Sequence, residues 1–366
     1  MEEAFDLERI KSWVGLYFPF YDVRVNREAI TFLCRVDEES LEEKFESLRN
    51  LLSTHGYIPI IRKERGETLI HVVSKRRRKP LPTYVNFILL AATLITTILT
   101  GALLVSDRST IWETGGIDAI LNPDNLVNGF LLFSLPLLTI LGVHEMAHYY
   151  TSKFHNIKTS LPFFIPIPPI MPSLNIGTIG ALISSREPLS NRKTLFDVGI
   201  SGPLAGFIVA IPITIIGIAN SSITPLESLN GEGYALGESL LFYLLCKLIL
   251  GITPDYAVDL NPVAFAGWVG LLVTAINLFP VGQLDGGHIT RAVLGEKQKY
   301  AGWASVFLLI FTSWWFFALF ILLVLGVYHP PPLNDISPLD IKRKILFFLA
   351  LLILVFCFVP FPIHPI

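Results

Sequence analysis

Apolar residues follow two different patterns along this chain. Through the first eighty residues they recur at short period among charged ones. AITFLCRV (29–36) reads as a strand. The following DEESLEEKFESLRNLLSTHG places Leu41, Phe45, Leu48 and Leu52 at i, i+4, i+7 and i+11, one face of an amphipathic helix. Its acidic first turn suits the positive end of the helix dipole, and Gly56 is a natural stop. YIPIIRKE and TLIHVVSK predict two further strands around a Glu64–Thr68 turn. The expectation is a small α+β soluble domain, β-α-β-β, over residues 1–78.

Beyond it the apolar residues run in long blocks: Tyr84–Val105, Leu126–Tyr150, Leu195–Ile218, Val263–Val281, Trp303–Leu325 and Ile345–Val359. About 20 residues at about 1.5 Å rise cross a hydrocarbon core of about 30 Å. These blocks predict an all-α polytopic membrane domain over 79–366 with about six transmembrane helices. Leu161–Ile183 is also apolar, but Pro162, Pro166, Pro168, Pro169, Pro172, Gly177 and Gly180 interrupt it. A straight helix is unsuited to that composition, and a re-entrant β-like loop is expected instead. Leu236–Leu250 is short and carries Glu238 and Lys247.

Composition sharpens this picture. The 366 residues are 52% hydrophobic and 16% charged, with a mean hydropathy of +0.57, which excludes an ordinary soluble protein. Residues 1–80 hold 15 basic and 14 acidic side chains, half of the chain's charges. A net charge of −2 leaves no basic face for nucleic acid. Cys34, Cys246 and Cys357 are scattered and form neither a disulfide framework nor a thiolate metal site. MEEAFDLER is acidic with no apolar run behind it, so no cleavable signal peptide is expected there. KRRRK (75–79) precedes the first apolar block, and the positive-inside rule puts it and the soluble domain in the cytosol.

Chemistry concentrates in His144-Glu145-Met146-Ala147-His148, within the second apolar block. On a helix the i and i+4 imidazoles share one face and can hold one Zn²⁺, with Glu145 beside it as general base. Three ionisable residues in an apolar helix are costly in lipid and mark a functional site. A catalytic zinc takes a third protein ligand. Asp285, in Asn277-Leu-Phe-Pro280-Val-Gly-Gln-Leu284-Asp285-Gly286-Gly287, is the best candidate, with His288 as its rival. For one metal to touch His148 and Asp285, both near the C-terminal ends of their blocks, those blocks must run in the same direction. Leu236–Leu250 is then interfacial or re-entrant, and both termini are cytosolic. That count leaves Lys342-Arg343-Lys344 on the outer side, against the positive-inside rule.

At these residues the chain resembles the site-2 proteases, intramembrane zinc metalloproteases that cut transmembrane segments of other proteins. The resemblance rests on HEMAH (144–148), on NLFPVGQLDGG (277–287) as an N-x-x-P-x-x-x-L-D-G pattern, and on SGPLAG (201–206), and it covers about residues 84–361. It implies one zinc per chain held by His144, His148 and Asp285, with Glu145 as catalytic base and Asn277 holding substrate backbone or the developing oxyanion. The variant resembles the branch of archaea, cyanobacteria and chloroplasts with a soluble N-terminal domain, and it lacks a PDZ domain. The expected partners are the lipid bilayer and transmembrane protein substrates. The N-terminal domain is expected to dock a regulator or a substrate, since His55 and His71 stand alone in it. The expected setting is a prokaryotic cell membrane, with an organelle membrane as the alternative.

Leu174–Ile183 carries strand-forming residues and glycines. Gly177, Thr178 and Gly180 are expected to pair its free edge with an unwound substrate strand, as in the family's β-loop. Gly202, Pro203 and Gly206 read as helix-packing residues. Trp303, Trp314, Trp315, Phe316 and Phe317 read as lipid-facing or interfacial.

Overall fold

The computed structural model describes residues 6–75, 81–106, 117–168, 176–185, 188–229, 234–253 and 255–365. Its polar stretch folds as helix α1 (Leu7–Gly15), strands β1 (Phe20–Val25) and β2 (Ala29–Cys34), helix α2 (Leu41–Thr54) and strands β3 (Tyr57–Glu64) and β4 (Glu67–Ser74). The strands form one antiparallel sheet in the order β1-β2-β4-β3. Helix α2 buries Leu41, Phe45, Leu48 and Leu52, the stripe its spacing requires. β3 and β4 meet at Arg65-Gly66, both at positive φ (50° and 86°), the backbone of a tight two-residue hairpin turn. The unit is larger than the β-α-β-β reading, because α1 and β1 precede it. Ile10, Val14 and Phe18 complete the core. β1 leaves four of its six residues exposed, so it carries little apolar signal. Residues 76–79 of the basic run, and the boundary placed at 78/79, lie outside the described residues.

Among the described residues, three helices are long and apolar enough to cross a membrane: α3 (Tyr84–Val105), α4 (Pro123–Phe154) and α5 (Arg192–Ala219). Phe87, Ile88, Ile95, Ile208 and Ile216 are exposed on them, a surface suited to lipid. α3 and α4 touch backbone to backbone at Gly101 and Gly129, where a Cβ on Gly101 would come within 2.4 Å of the Gly129 carbonyl oxygen. α5 is the central helix, packed along α4, α7 (Pro262–Leu278) and α8 (Asp285–Leu294). α6 (Leu240–Leu250) has 11 residues. At about 1.5 Å each it reaches roughly half of a hydrocarbon core.

The block Trp303–Leu325 is not one helix. It divides into α9 (Gln298–Ile310) and α10 (Trp315–Leu325), which fold back on each other. The Gln298 side chain donates to the Val327 carbonyl (3.1 Å) and accepts from the His329 N–H (3.1 Å), so the two ends of the hairpin meet. At its tip the Ser313 N–H donates to the Pro360 carbonyl (3.2 Å) and the Trp314 indole to that of Val359 (2.7 Å). This fold-back changes the parity. The next helix, α11 (Ile341–Cys357), starts at the end of the bundle that carries the sheet: Arg343 grips Asp197 near the start of α5 (2.7 and 2.5 Å), and Asp197 also meets His155 at the end of α4 (3.0 Å). Lys342-Arg343-Lys344 therefore lies at the sheet-bearing end of the bundle, not at the opposite end where six crossings would put it.

The Pro-rich stretch forms no helix among the described residues. β5 (Phe163–Pro166) pairs with β6 (Thr178–Leu182), antiparallel, with a bulge between Ile165 and Pro166. Residues 169–175, including Leu174 of the expected substrate strand, lie outside the described residues.

Candidate metal centre

α4 is started by Asn122, whose side chain accepts from the Asp124 N–H (2.9 Å), with Pro123 in the first turn. Two-thirds along it the i, i+4 spacing turns both His144 and His148 inward, and Glu145 is buried with them. α7 stops at Leu278, and the chain turns through 279–284 before Asp285 opens α8. The two glycines after Asp285 make that turn fit. A Cβ on Gly286 would meet the Leu278 carbonyl oxygen at 2.0 Å, and one on Gly287 the Gly282 carbonyl oxygen at 2.2 Å. Breaking α7 and restarting at once as α8 points the carboxylate back at α4.

His144, His148 and Asp285 converge. The His148 and His144 Nε2 atoms are 3.2 Å apart, and the Asp285 Oδ2 lies 3.2 Å from the first and 3.3 Å from the second. Tetrahedral zinc bonds of about 2.0–2.1 Å set neighbouring donors about 3.3 Å apart. The triangle therefore has the edge length of three zinc ligands. The tautomer agrees: His148 donates its Nδ1–H to the Val198 carbonyl (2.7 Å), which turns its Nε2 towards the triangle. Two imidazole nitrogens and a carboxylate oxygen facing one point suit a bound cation. The donor set, two imidazoles and one carboxylate with room for a further ligand, is that of a catalytic zinc.

α5 makes the room. A Cβ on Gly202 would fall 2.1 Å from the His148 Nε2, and one on Gly206 would be 3.2 Å from the His144 Cβ and Nδ1. On the same face, a Cβ on Gly199 would lie 2.7 Å from the His288 Cβ. SGPLAG is packing, as its small residues imply, and what it packs against is the His144 and His148 rings. Gly202 and the Val198 carbonyl are site groups that the sequence reading did not identify. The stripe Gly199, Gly202, Gly206 at i, i+3, i+7 was the available signal.

Asn277, on the last turn of α7, sets its amide 3.5 Å from the His144 Nε2. His288 lies outside the triangle. It donates Nδ1–H to the Leu284 carbonyl (3.1 Å) and packs on His329 at 4.3 Å between ring centres. Burial, with the neighbouring His288, pushes the His329 ring down to about 3. The hairpin residues divide in role. Gly177 is pressed onto α3, where a Cβ would meet the Thr97 Cα at 2.7 Å and the Thr96 hydroxyl donates to its carbonyl (2.7 Å). Thr178 is buried and donates to the Ile165 carbonyl (2.9 Å). Gly180 (φ 109°) faces open space, and Ile179 and Leu182 are exposed. A cavity of ≈ 530 Å³ opens elsewhere, on the soluble unit beside Tyr21, Arg35, Lys63 and Ile336, away from these groups.

A metal triangle with an adjoining glutamate, built inside an apolar helical bundle, defines a membrane-embedded metallohydrolase. The model of peptidase family M50 matches residues 132–321, which include His144, Glu145, His148, Asn277, Asp285 and the β5–β6 pair, and the chain belongs to that family, the site-2 proteases. It is 28% identical over 266 residues to "Probable zinc metalloprotease EGY1, chloroplastic" of Arabidopsis thaliana, covering 66% of this chain and 46% of that protein. It is 36% identical over 165 residues to "Probable zinc metalloprotease EGY2, chloroplastic" of Oryza sativa subsp. indica, covering 43% and 28%. The chain thus spans less than half the length of these curated relatives. No solved structure matches it.

Proposed function

We propose that this chain is a zinc metalloendopeptidase that hydrolyses peptide bonds within or beside transmembrane segments of membrane proteins, as a step of regulated intramembrane proteolysis. The observation that carries the reading is the zinc-sized triangle of His144, His148 and Asp285, with Glu145 buried beside it in a bundle of apolar helices. The M50 membership and the zinc metalloprotease names of the relatives support it.

His144, His148 and Asp285 would hold the zinc. When bound, it supplies Lewis acidity at the scissile carbonyl and acidifies a water towards a pKa of about 7. Glu145 takes the proton of that attacking water and passes it to the leaving amine nitrogen. The Asn277 amide, beside His144, donates to the carbonyl oxygen as it gains negative charge, or to the substrate backbone. The free edge of β6, at Gly180 and its exposed neighbours, pairs with the unwound substrate strand in a re-entrant setting. Gly177 and Thr178 serve that edge from behind, by seating the hairpin on α3 and closing it internally.

The sheet-bearing side of the bundle faces the cytosol of a prokaryotic cell in this reading. The chloroplastic names of the relatives make the equivalent side of an organelle membrane the second setting. Mass spectrometry of products from a purified, detergent-solubilised transmembrane substrate tests the proposal. Cleavage should fall inside or next to the apolar segment, stop with a zinc chelator and return with added zinc. Cleavage indifferent to chelation would overturn it.

A further inference from the structure

Residues 327–340, between α10 and α11, connect three parts of the molecule. On one side they belong to the soluble unit. Leu333 is buried in its core and Ile336 packs against that core. The Ile61 N–H on β3 donates to the Leu333 carbonyl (2.9 Å), and the Arg62 guanidinium donates to the same oxygen (2.9 Å). On the other side the Leu333 N–H donates to the Leu189 carbonyl (2.9 Å) and the Asn334 N–H to that of Ser190 (2.8 Å). Asn334 bridges Ile61 and Asn191 together. The short piece 333–334 is thus a strand laid between β3 and the segment that leads into α5. Asn334, itself buried, shapes the next turn by accepting from the Ile336 and Ser337 N–H groups (3.1 and 3.2 Å).

The same segment grips the helix that carries Asp285. Arg291 of α8 is fully buried and ion-pairs with Asp335, with the Tyr328 ring 5.3 Å beneath its guanidinium. The Val327 carbonyl accepts from the Gly282 N–H (3.1 Å), three residues before Asp285. Arg192, at the start of α5, caps the far end of α8 by donating to the Ala292 and Val293 carbonyls (2.7 and 2.9 Å). Asp335 lies among the charges of Arg291 on α8, Arg62 on β3 and Arg192 on α5. The segment therefore ties the three parts together: its backbone at 333–334 holds β3 and the approach to α5, and Asp335 holds α8 through Arg291.

We propose that residues 327–340 form a positioning strap through which the four-stranded unit sets the orientation of Asp285, with Asp335 and Arg291 as positioning residues for the metal centre. The inference rests on the zinc-centre reading above. It gives the soluble unit a function in cis: docked on β3, the strap holds Asp335 against Arg291 and keeps α8 seated. When β3 releases Leu333, α8 loses the Arg291–Asp335 anchor and Asp285 drifts.

Three variants of the full chain test this: Asp335→Asn, Asp335→Glu and Arg62→Ala. Each is read by the rate of zinc loss to a chelator, by the absorption spectrum of the cobalt-substituted protein, and by kcat and KM. Loss of a supporting group around a metal costs about 10–100-fold, and a misplacement of about 1 Å can cost about 100-fold in rate. Asp335→Asn should lose zinc about tenfold faster or more, change the cobalt spectrum, and lower kcat with KM little altered. Asp335→Glu should restore most of both. Arg62→Ala, which removes the β3 donor to the Leu333 carbonyl and a charge near Asp335, should move the same readouts in the same direction by a smaller factor. Unchanged zinc retention and cobalt spectrum in Arg62→Ala would overturn the strap, as would an effect confined to KM, and this variant decides alone if Asp335→Asn fails to fold. A wild-type protein that binds zinc but cleaves nothing would count against the protease reading only, since zinc retention still measures the strap.

Discussion

Replacing Gly202 by alanine adds one methyl group, and the structure places it where it does the most damage to the metal centre and the least to the fold. The new Cβ would sit 2.1 Å from the His148 Nε2. Ordinary contact needs at least about 3.4 Å, so the ring must retreat by roughly 1 Å, whereas metal–ligand distances hold to within about 0.2 Å. The ring can retreat, because it is the end of a rotatable side chain. The retreat costs the Nδ1–H bond to Val198, worth about 1 kcal/mol, and alanine returns a comparable amount of helix propensity. Gly202→Ala should therefore melt near the wild-type temperature while zinc affinity falls by more than about 100-fold, since a ligand is lost and not merely its support. Gly206→Ala is the matched control. Its Cβ would lie 3.2 Å from the His144 ring and needs only a few tenths of an ångström, so it should keep its zinc. Elemental analysis after dialysis, with chelator competition for affinity and a thermal melt for stability, reads all of this. A Gly202→Ala protein holding one zinc per chain at wild-type affinity would refute the argument from ring placement.

Three further outcomes follow from other parts of the fold. Gly180→Pro, at φ 109° on the open edge of β6, should abolish cleavage of transmembrane substrates without loss of zinc; unchanged cleavage rates would sink the strand-pairing role. Gly101→Ala drives a methyl group to 2.4 Å from the Gly129 carbonyl oxygen and should lower the melting temperature by several degrees through separation of α3 and α4, with unchanged melting as the contrary result. Burial holds the His71 imidazole below its usual range, so the unfolded chain binds the extra proton and stability of the soluble unit falls as pH drops through and below about 6.5. Urea unfolding followed at Trp13 should show that loss, and His71→Gln should flatten it; a pH-independent midpoint in wild type would contradict the assignment.

Periodicity made the ligand helix readable. His144 and His148 at i, i+4 in an apolar run leave few other arrangements, and the Pro280 and Gly286-Gly287 breaks mark where Asp285 turns inward. The α2 stripe was equally explicit. The fold-back of α9 and α10 was hidden because Thr312-Ser313 is a weak interruption in an otherwise apolar run, and hydropathy does not distinguish a hairpin from a crossing helix. The pairing of Arg291 with Asp335 joins residues 44 apart in the chain through a loop of no regular structure, so no spacing rule exposes it. Gly202 was read as packing because a small residue shows only that something approaches closely, and never what approaches.

The most direct test of the central claim compares wild type with Glu145→Gln, measuring zinc per chain and cleavage of a detergent-solubilised transmembrane substrate in the same preparations. Glu145 adjoins the ligands without being one of the three that converge. The account predicts about one zinc per chain in both proteins, for a site with one set of three ligands, and cleavage by the wild type alone. Zinc absent from both, or a Glu145→Gln protein that cleaves as fast as the wild type, would contradict it.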